Sequence, residues 1–175
     1  GIAALCGALG EGAVADWSAI YLRDITGATE SVAALGYAVF SVTMVAFRLA
    51  GAVVITRFGP VVSARFGGIC AAFGVFTVVS AATPLTALVG FALMGIGYAV
   101  IMPLAFSRAA SDPNVPPGQA IASVATLGYG GLLIGPPLIG LLAELFGLRL
   151  AFAVLLPLAF LIVLLAGALK RAGSV

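Results

Sequence analysis

Histidine is absent from this 175-residue sequence, which removes the commonest metal ligand and the commonest general acid or base. Lysine occurs once, at Lys170 near the tail, so lysine-based covalent chemistry has nothing to work with. No G-x-x-x-x-G-K-[ST] loop is present for a nucleotide phosphate. No metal, cofactor or enzymatic activity is therefore expected. Cys6 and Cys70 both lie in apolar runs and read as buried thiols, not as a disulfide framework. Charge is the scarcest commodity. Asp, Glu, Lys and Arg make up 8% of the chain, with a net charge of +2 and no basic patch interleaved with aromatics, which excludes nucleic acid as a partner.

Apolar residues fill the space that charge vacates. They reach 63%, against about 45–50% apolar and 25% charged in a soluble domain. A soluble fold of this size has too little interior to hide them, so the surrounding solvent is the lipid bilayer. Residues 66–107 carry no charge over 42 positions, residues 113–143 none over 31, and residues 150–169 none over 20. A bilayer core takes about 20 helical residues, and the runs are too long and too uniformly apolar for barrel strands. Six transmembrane helices are predicted, over 3–22, 31–51, 62–82, 85–106, 119–143 and 149–169. The sequence opens on Gly1 in an apolar run with no basic segment, unlike a signal peptide; the expectation is a fragment whose N-terminal part lies outside it.

With an even number of spans both termini share a side. That side collects Arg48, Arg57, Arg65, Arg108, Lys170 and Arg171, and the other only Arg23 and Arg149. The positive-inside rule makes the richer side cytoplasmic.

Two acids in the first span need a reason, because a charge at bilayer depth costs about 2.5–3.5 kcal/mol on insertion scales. Glu11 falls near the midplane and Asp16 about 7 Å further out at 1.5 Å per residue. At 3.6 residues per turn they point about 140° apart, so the expectation is that one faces a cavity and the other a neighbouring helix. Glu11 reads either as a carboxyl that binds a proton or polar solute or as a structural carboxylate satisfied within the bundle. Trp17 and Tyr21, four residues apart, suit ligand stacking or interfacial anchoring. Arg48 at the inner end of the second span reads as a gating partner or a snorkelling cation. In the fourth span Gly95, Gly97, Tyr98 and Pro103 predict a kinked helix lining a cavity. In the fifth, Gly131, Gly135, Pro136, Pro137 and Gly140 predict a bent one, since adjacent prolines remove two backbone donors.

Together these features resemble the C-terminal half of a major facilitator superfamily transporter, the seventh to twelfth helices of twelve. Residues 10–22, Gly-Glu-Gly-Ala-Val-Ala-Asp-Trp-Ser-Ala-Ile-Tyr-Leu, are similar to a signature of a largely uncharacterised bacterial branch. The stretch from Arg48 and Gly51 to Arg57 and Gly59 resembles the superfamily loop motif G-R-x-x-G-D-x-x-x-x-R-x-G, with Phe47 in place of its first glycine and Ala52 in place of its acid. Gly131-x-x-x-Gly135-Pro136-Pro137-x-x-Gly140 resembles the glycine–proline motif of antiporters, here on the pseudo-symmetric helix.

The resemblance implies two inverted three-helix repeats, residues 1–82 and 85–169. It places Glu11, Asp16, Tyr98 and Pro103 on the substrate path. It further implies a small organic solute carried by rocking against an N-terminal six-helix half, in a bacterial cytoplasmic (inner) membrane. A proton (H+) or solute gradient would supply the energy, by symport or antiport. Two other classes remain open at this point: a non-transporting membrane scaffold or receptor, and an intramembrane enzyme built on an acid dyad.

Overall fold

Helices account for almost all of the computed structural model, which describes residues 1–170 and in which no strand occurs among those residues. Arg171, assigned above to the cation-rich side, lies outside the described residues. The first span is α1 (Ile2–Thr26), closed by Gly27 in the left-handed conformation (φ 69, ψ 27), a backbone region that favours glycine. The second comprises α2 (Glu30–Ala33) and α3 (Leu35–Phe58), separated at Ala34. The third is α4 (Pro60–Val79); the fourth is α5 (Pro84–Tyr98) followed by α6 (Ile101–Ala110); the fifth is α7 (Pro117–Phe146). The sixth runs through α8 (Leu148–Ala153), α9 (Leu155–Leu165) and a closing 3-10 turn, Ala166–Leu169. Five of the spans are long and apolar enough to cross a membrane on their own composition. The first has the length, but Glu11, Asp16 and its glycines dilute its hydropathy, and it is sheltered by its neighbours instead.

The helix ends carry clear local causes. Thr83 caps α5, its hydroxyl accepting the Thr86 N–H at 3.3 Å, and Pro84 supplies a pre-set first residue. The second and third spans join through Phe58-Gly59-Pro60, with Gly59 at φ 81, ψ 164. The fifth and sixth join through Phe146-Gly147-Leu148, with Gly147 at φ 83, ψ 155. The same Phe-Gly turn in the same conformation therefore recurs at corresponding places in the two halves of the chain.

The packing is reciprocal as well. The first span packs mainly on the fifth and the second on the fourth; the third packs on the fourth and the sixth. The core lies among α1, α4, α5 and α9, with Tyr21, Phe91 and Phe152 meeting edge-to-face at centroid distances of 4.9–6.2 Å. Cys6 is buried and Cys70 partly so, both as free thiols.

Close approach depends on glycine. A Cβ at Gly131 would sit 2.5 Å from the Leu5 carbonyl oxygen, and one at Gly135 equally close to that of Leu9. The two helix backbones thus touch where lipid supplies no hydrophobic drive between helices. α7 runs unbroken through Pro136 and Pro137, and its glycines serve contact with α1. The fourth span does break, at Ala99–Val100. Pro103 has no N–H for the Ala99 carbonyl four residues earlier, and Arg48 Nε donates to that oxygen at 3.4 Å instead.

At the far end of α4 the last carbonyls find side-chain donors. Tyr21 Oη donates to Val78 O at 2.8 Å. Arg149 donates to Val79 O through Nη1 and to Ala81 O through Nη2, the latter at 2.9 Å. Arg149→Met is expected to cost about 1–3 kcal/mol through these orphaned acceptors, read as a lower melting temperature in detergent. Arg57→Met should leave it unchanged, since Arg57 is exposed and lies only over the Phe58 ring, at 5.7 Å.

Candidate functional site

One open groove holds both acids of the first span. It lies between α1 and α7, holds about 830 Å³, and is lined by Glu11, Asp16 and Trp17 from α1, Tyr37 from α3, and Leu132, Leu133, Pro136 and Pro137 from α7. An adjoining groove of about 530 Å³ shares Trp17, Ile20, Pro137 and Gly140 with it and extends to Asp24 and Glu144 at the Thr26 end of the bundle. Both carboxylates of the first span therefore face the same space. α1 is unbroken from Ile2 to Thr26, so their angular separation is real, and the expectation that they would diverge fails on the groove's width. It spans the whole uncovered face of α1, from Tyr37 on one flank to Pro136 on the other. Glu11 is half-buried and Asp16 exposed. Among the described residues neither has an ion-pair partner within 4.0 Å.

α7 shapes the opposite wall. Pro136 and Pro137 carry no N–H, so the carbonyls of Leu132 and Leu133, four residues before them, lose their helical donors. A Cβ at Gly12 would collide with the Leu132 carbonyl, which holds that wall against α1. Trp17 Nε1 donates to Pro136 O at 2.9 Å, fixing the indole across the floor. Gly140 lies under the same ring.

The other sequence candidates separate into distinct places. Tyr21 is fully buried in the core and bonded to Val78 O, so it is a structural tyrosine remote from the groove. Tyr98 is 2% exposed and packs against Gly10, away from the groove's lining; its hydroxyl has no hydrogen-bond partner among the described residues. Arg48, Gly51 and Pro103 meet in a second cavity of about 320 Å³ toward the Gly1 end, with Thr56 and Ser107. Arg57 and Gly59 lie at the end of α3, outside that cavity. Between the fourth and fifth spans, Asp112 accepts the Asn114 backbone N–H at 3.0 Å and pairs with Arg108 at 3.0 Å. These contacts hold its carboxyl below the ordinary aspartate range.

Several lining residues escaped sequence reasoning. Tyr37 sits one turn into the second span with no polar neighbour to single it out. Leu132 and Leu133 contribute backbone, which only the missing proline N–H four residues later could have signalled. Asp24 and Glu144 looked like loop charges because each stands at a helix end.

The second and fifth spans, which contribute to the groove, are also the least covered. Only 17% of the apolar stretch of the second span and 28% of that of the fifth are buried inside the chain, against 33% for the sixth and 56% for the fourth. On those two spans Leu49, Val53, Leu133 and Leu145 are each at least 67% exposed.

Comparison with known proteins gives a consistent result. The family model described as Major Facilitator Superfamily matches residues 1–173. The chain is 49% identical over 171 residues to an uncharacterised transporter of Sinorhizobium fredii, covering 98% of this chain and 45% of that protein. It is 37% identical over 144 residues to an uncharacterised MFS-type transporter of Yersinia pestis, covering 82% of this chain and 38% of the relative. It is 38% identical over 138 residues to a membrane protein of Rhizobium meliloti, MosC, covering 79% and 34%. The chain thus spans less than half the length of the curated relatives it matches.

Proposed function

Because the chain belongs to the major facilitator superfamily, we propose that it is the C-terminal half of a secondary transporter that moves a small organic solute along the α1–α7 groove. The observation that carries this reading is the placement of Glu11 and Asp16. Both line one open groove at a depth where a carboxylate is tolerated only beside a polar passage. The barely covered second and fifth spans flank that groove, and a further six-helix half closing over them would convert it into a central cavity. The recurring Phe-Gly turns and the reciprocal packing of first on fifth and second on fourth spans support two inverted three-helix repeats, residues 1–82 and 85–169. Rocking of such halves about a fixed midplane site is a rigid-body form of alternating access.

The cation-rich end, with Gly1, Arg57, Arg65, Arg108 and Lys170, faces the cytoplasm of a bacterium in this reading. Two relatives are named as transporters, which supports transport over a scaffold role. Glu11 is the candidate to bind a proton as coupling ion, by symport or antiport. Arg48 and Pro103 act together in the second cavity, where the arginine bridges the break in the fourth span.

The test is reconstitution of the full-length polypeptide in liposomes with an imposed pH gradient. Solute-dependent dissipation of the gradient is expected, together with accumulation of the solute. Solutes that bind without moving across the membrane would instead establish a receptor.

A further inference from the structure

We infer that the groove takes a solute carrying positive charge, an amine or a hydroxyl-bearing quaternary ammonium compound. The assignment rests on the transport reading for its site and deepens it to a substrate class. Its basis is a chemical asymmetry in the lining. Six Asp and Glu residues occur in the whole sequence, and four of them, Glu11, Asp16, Asp24 and Glu144, line the two continuous grooves. No lysine or arginine lines either one. Asp24 is paired with Arg23 at 2.7 Å, whereas Glu11, Asp16 and Glu144 have no ion-pair partner within 4.0 Å among the described residues.

The remaining polar groups add to the same sign. The Leu133 carbonyl lacks its helical donor because Pro137 has no N–H to give, while the freed Leu132 carbonyl is taken up against Gly12. The Trp17 indole N–H, which would otherwise favour an anion, is already given to Pro136 O at 2.9 Å. What remains of Trp17 is its ring, and Tyr37 offers a second ring across the groove. Aromatic faces attract a cation electrostatically, beyond the apolar contact that a neutral solute of the same shape makes. Apart from the Tyr37 hydroxyl, the lining accepts hydrogen bonds and does not donate them. An anion entering here would meet like charge and, apart from the Tyr37 hydroxyl, no donor.

The test uses the full-length polypeptide in detergent and three probes of one shape. They are choline, its uncharged carbon isostere neohexyl alcohol, and the carboxylate of the same skeleton, tert-butylacetate. Equilibrium dialysis is expected to rank choline first, at least about tenfold tighter than the alcohol, with the carboxylate weakest. The double variant Glu11→Gln/Asp16→Asn is expected to lose that preference. Equal or tighter binding of the alcohol or the carboxylate, binding of none of the three, or a preference that survives in the double variant overturns the assignment. If the double variant fails to fold, the wild-type ranking decides alone. Selective choline binding with no solute movement in liposomes retains the charge class and removes the transport reading. Transport of an anion, with choline unbound, retains transport and removes the charge class.

Discussion

Gly135→Leu is expected to abolish recovery of the folded protein from membranes, whereas Gly130→Ala, five residues earlier on the same helix, leaves it unchanged or improves it. Gly135 faces the α1 backbone, and even a Cβ there would stand 2.5 Å from Leu9 O and 3.2 Å from Ala13 N. Neither atom belongs to a flexible side chain, so relief requires the helices to separate. Separation forfeits the adjacent contact of Gly131 with Leu5 O and the Trp17–Pro136 hydrogen bond. Overpacking of an ordinary core costs about 1–3 kcal/mol. A collision between two backbones, repeated along the most extensive helix pair of the bundle, exceeds that range. Gly130 meets nothing within 4 Å, and alanine there gains helix propensity of up to about 1 kcal/mol. Size-exclusion profiles and melting temperatures of the two variants in the same detergent give the comparison.

Neutralising the two acids has the opposite pattern. Glu11→Gln/Asp16→Asn is expected to lower solute transport by roughly 10- to 100-fold, as befits a net loss of charge-assisted hydrogen bonding of about 1.5–3 kcal/mol in total. Its melting temperature should hold or rise, since removing charge at bilayer depth relieves a cost of about 2.5–3.5 kcal/mol per group. Transport and stability moving in opposite directions is the mark of a site kept at the expense of stability. If both fall together, the carboxylates are structural, the alternative reading that the sequence left open for Glu11.

How much of this was legible in the sequence depends on the kind of signal. Spans written as gaps between charges were readable, because a single arginine or aspartate marks where lipid ends. All six appear as predicted, with helices running a few residues beyond the apolar core into polar surroundings; the third alone stops early, at Val79. Pro103 and the glycines before it foretold the break in the fourth span. At Pro136 and Pro137 the same absence of N–H leaves α7 continuous. One of the freed carbonyls lies against Gly12 of the neighbouring helix, a partner invisible from within its own segment. Helical-wheel reasoning separated Glu11 from Asp16 correctly in angle, but angle says nothing of how wide a neighbouring groove will be. Tyr21 and Arg149 carried no local hint of their role, because the carbonyls they satisfy lie 57 and about 70 residues away in sequence.

The most direct test of the acid-lined groove as a water-filled passage is thiol accessibility in the bilayer. The full-length polypeptide, with Cys6 and Cys70 replaced by alanine and any other cysteines removed, carries Ala15→Cys in one preparation and Phe73→Cys in the other. Ala15 lines the groove between the two carboxylates, while Phe73 is 63% exposed in a patch with no polar atom in its lining. A charged, membrane-impermeant methanethiosulfonate should modify the cysteine at position 15 rapidly and leave the one at position 73 untouched. Protection of position 15 at the level of position 73, in folded protein, would mean that Glu11 and Asp16 face hydrocarbon, and the groove would not be a solute path.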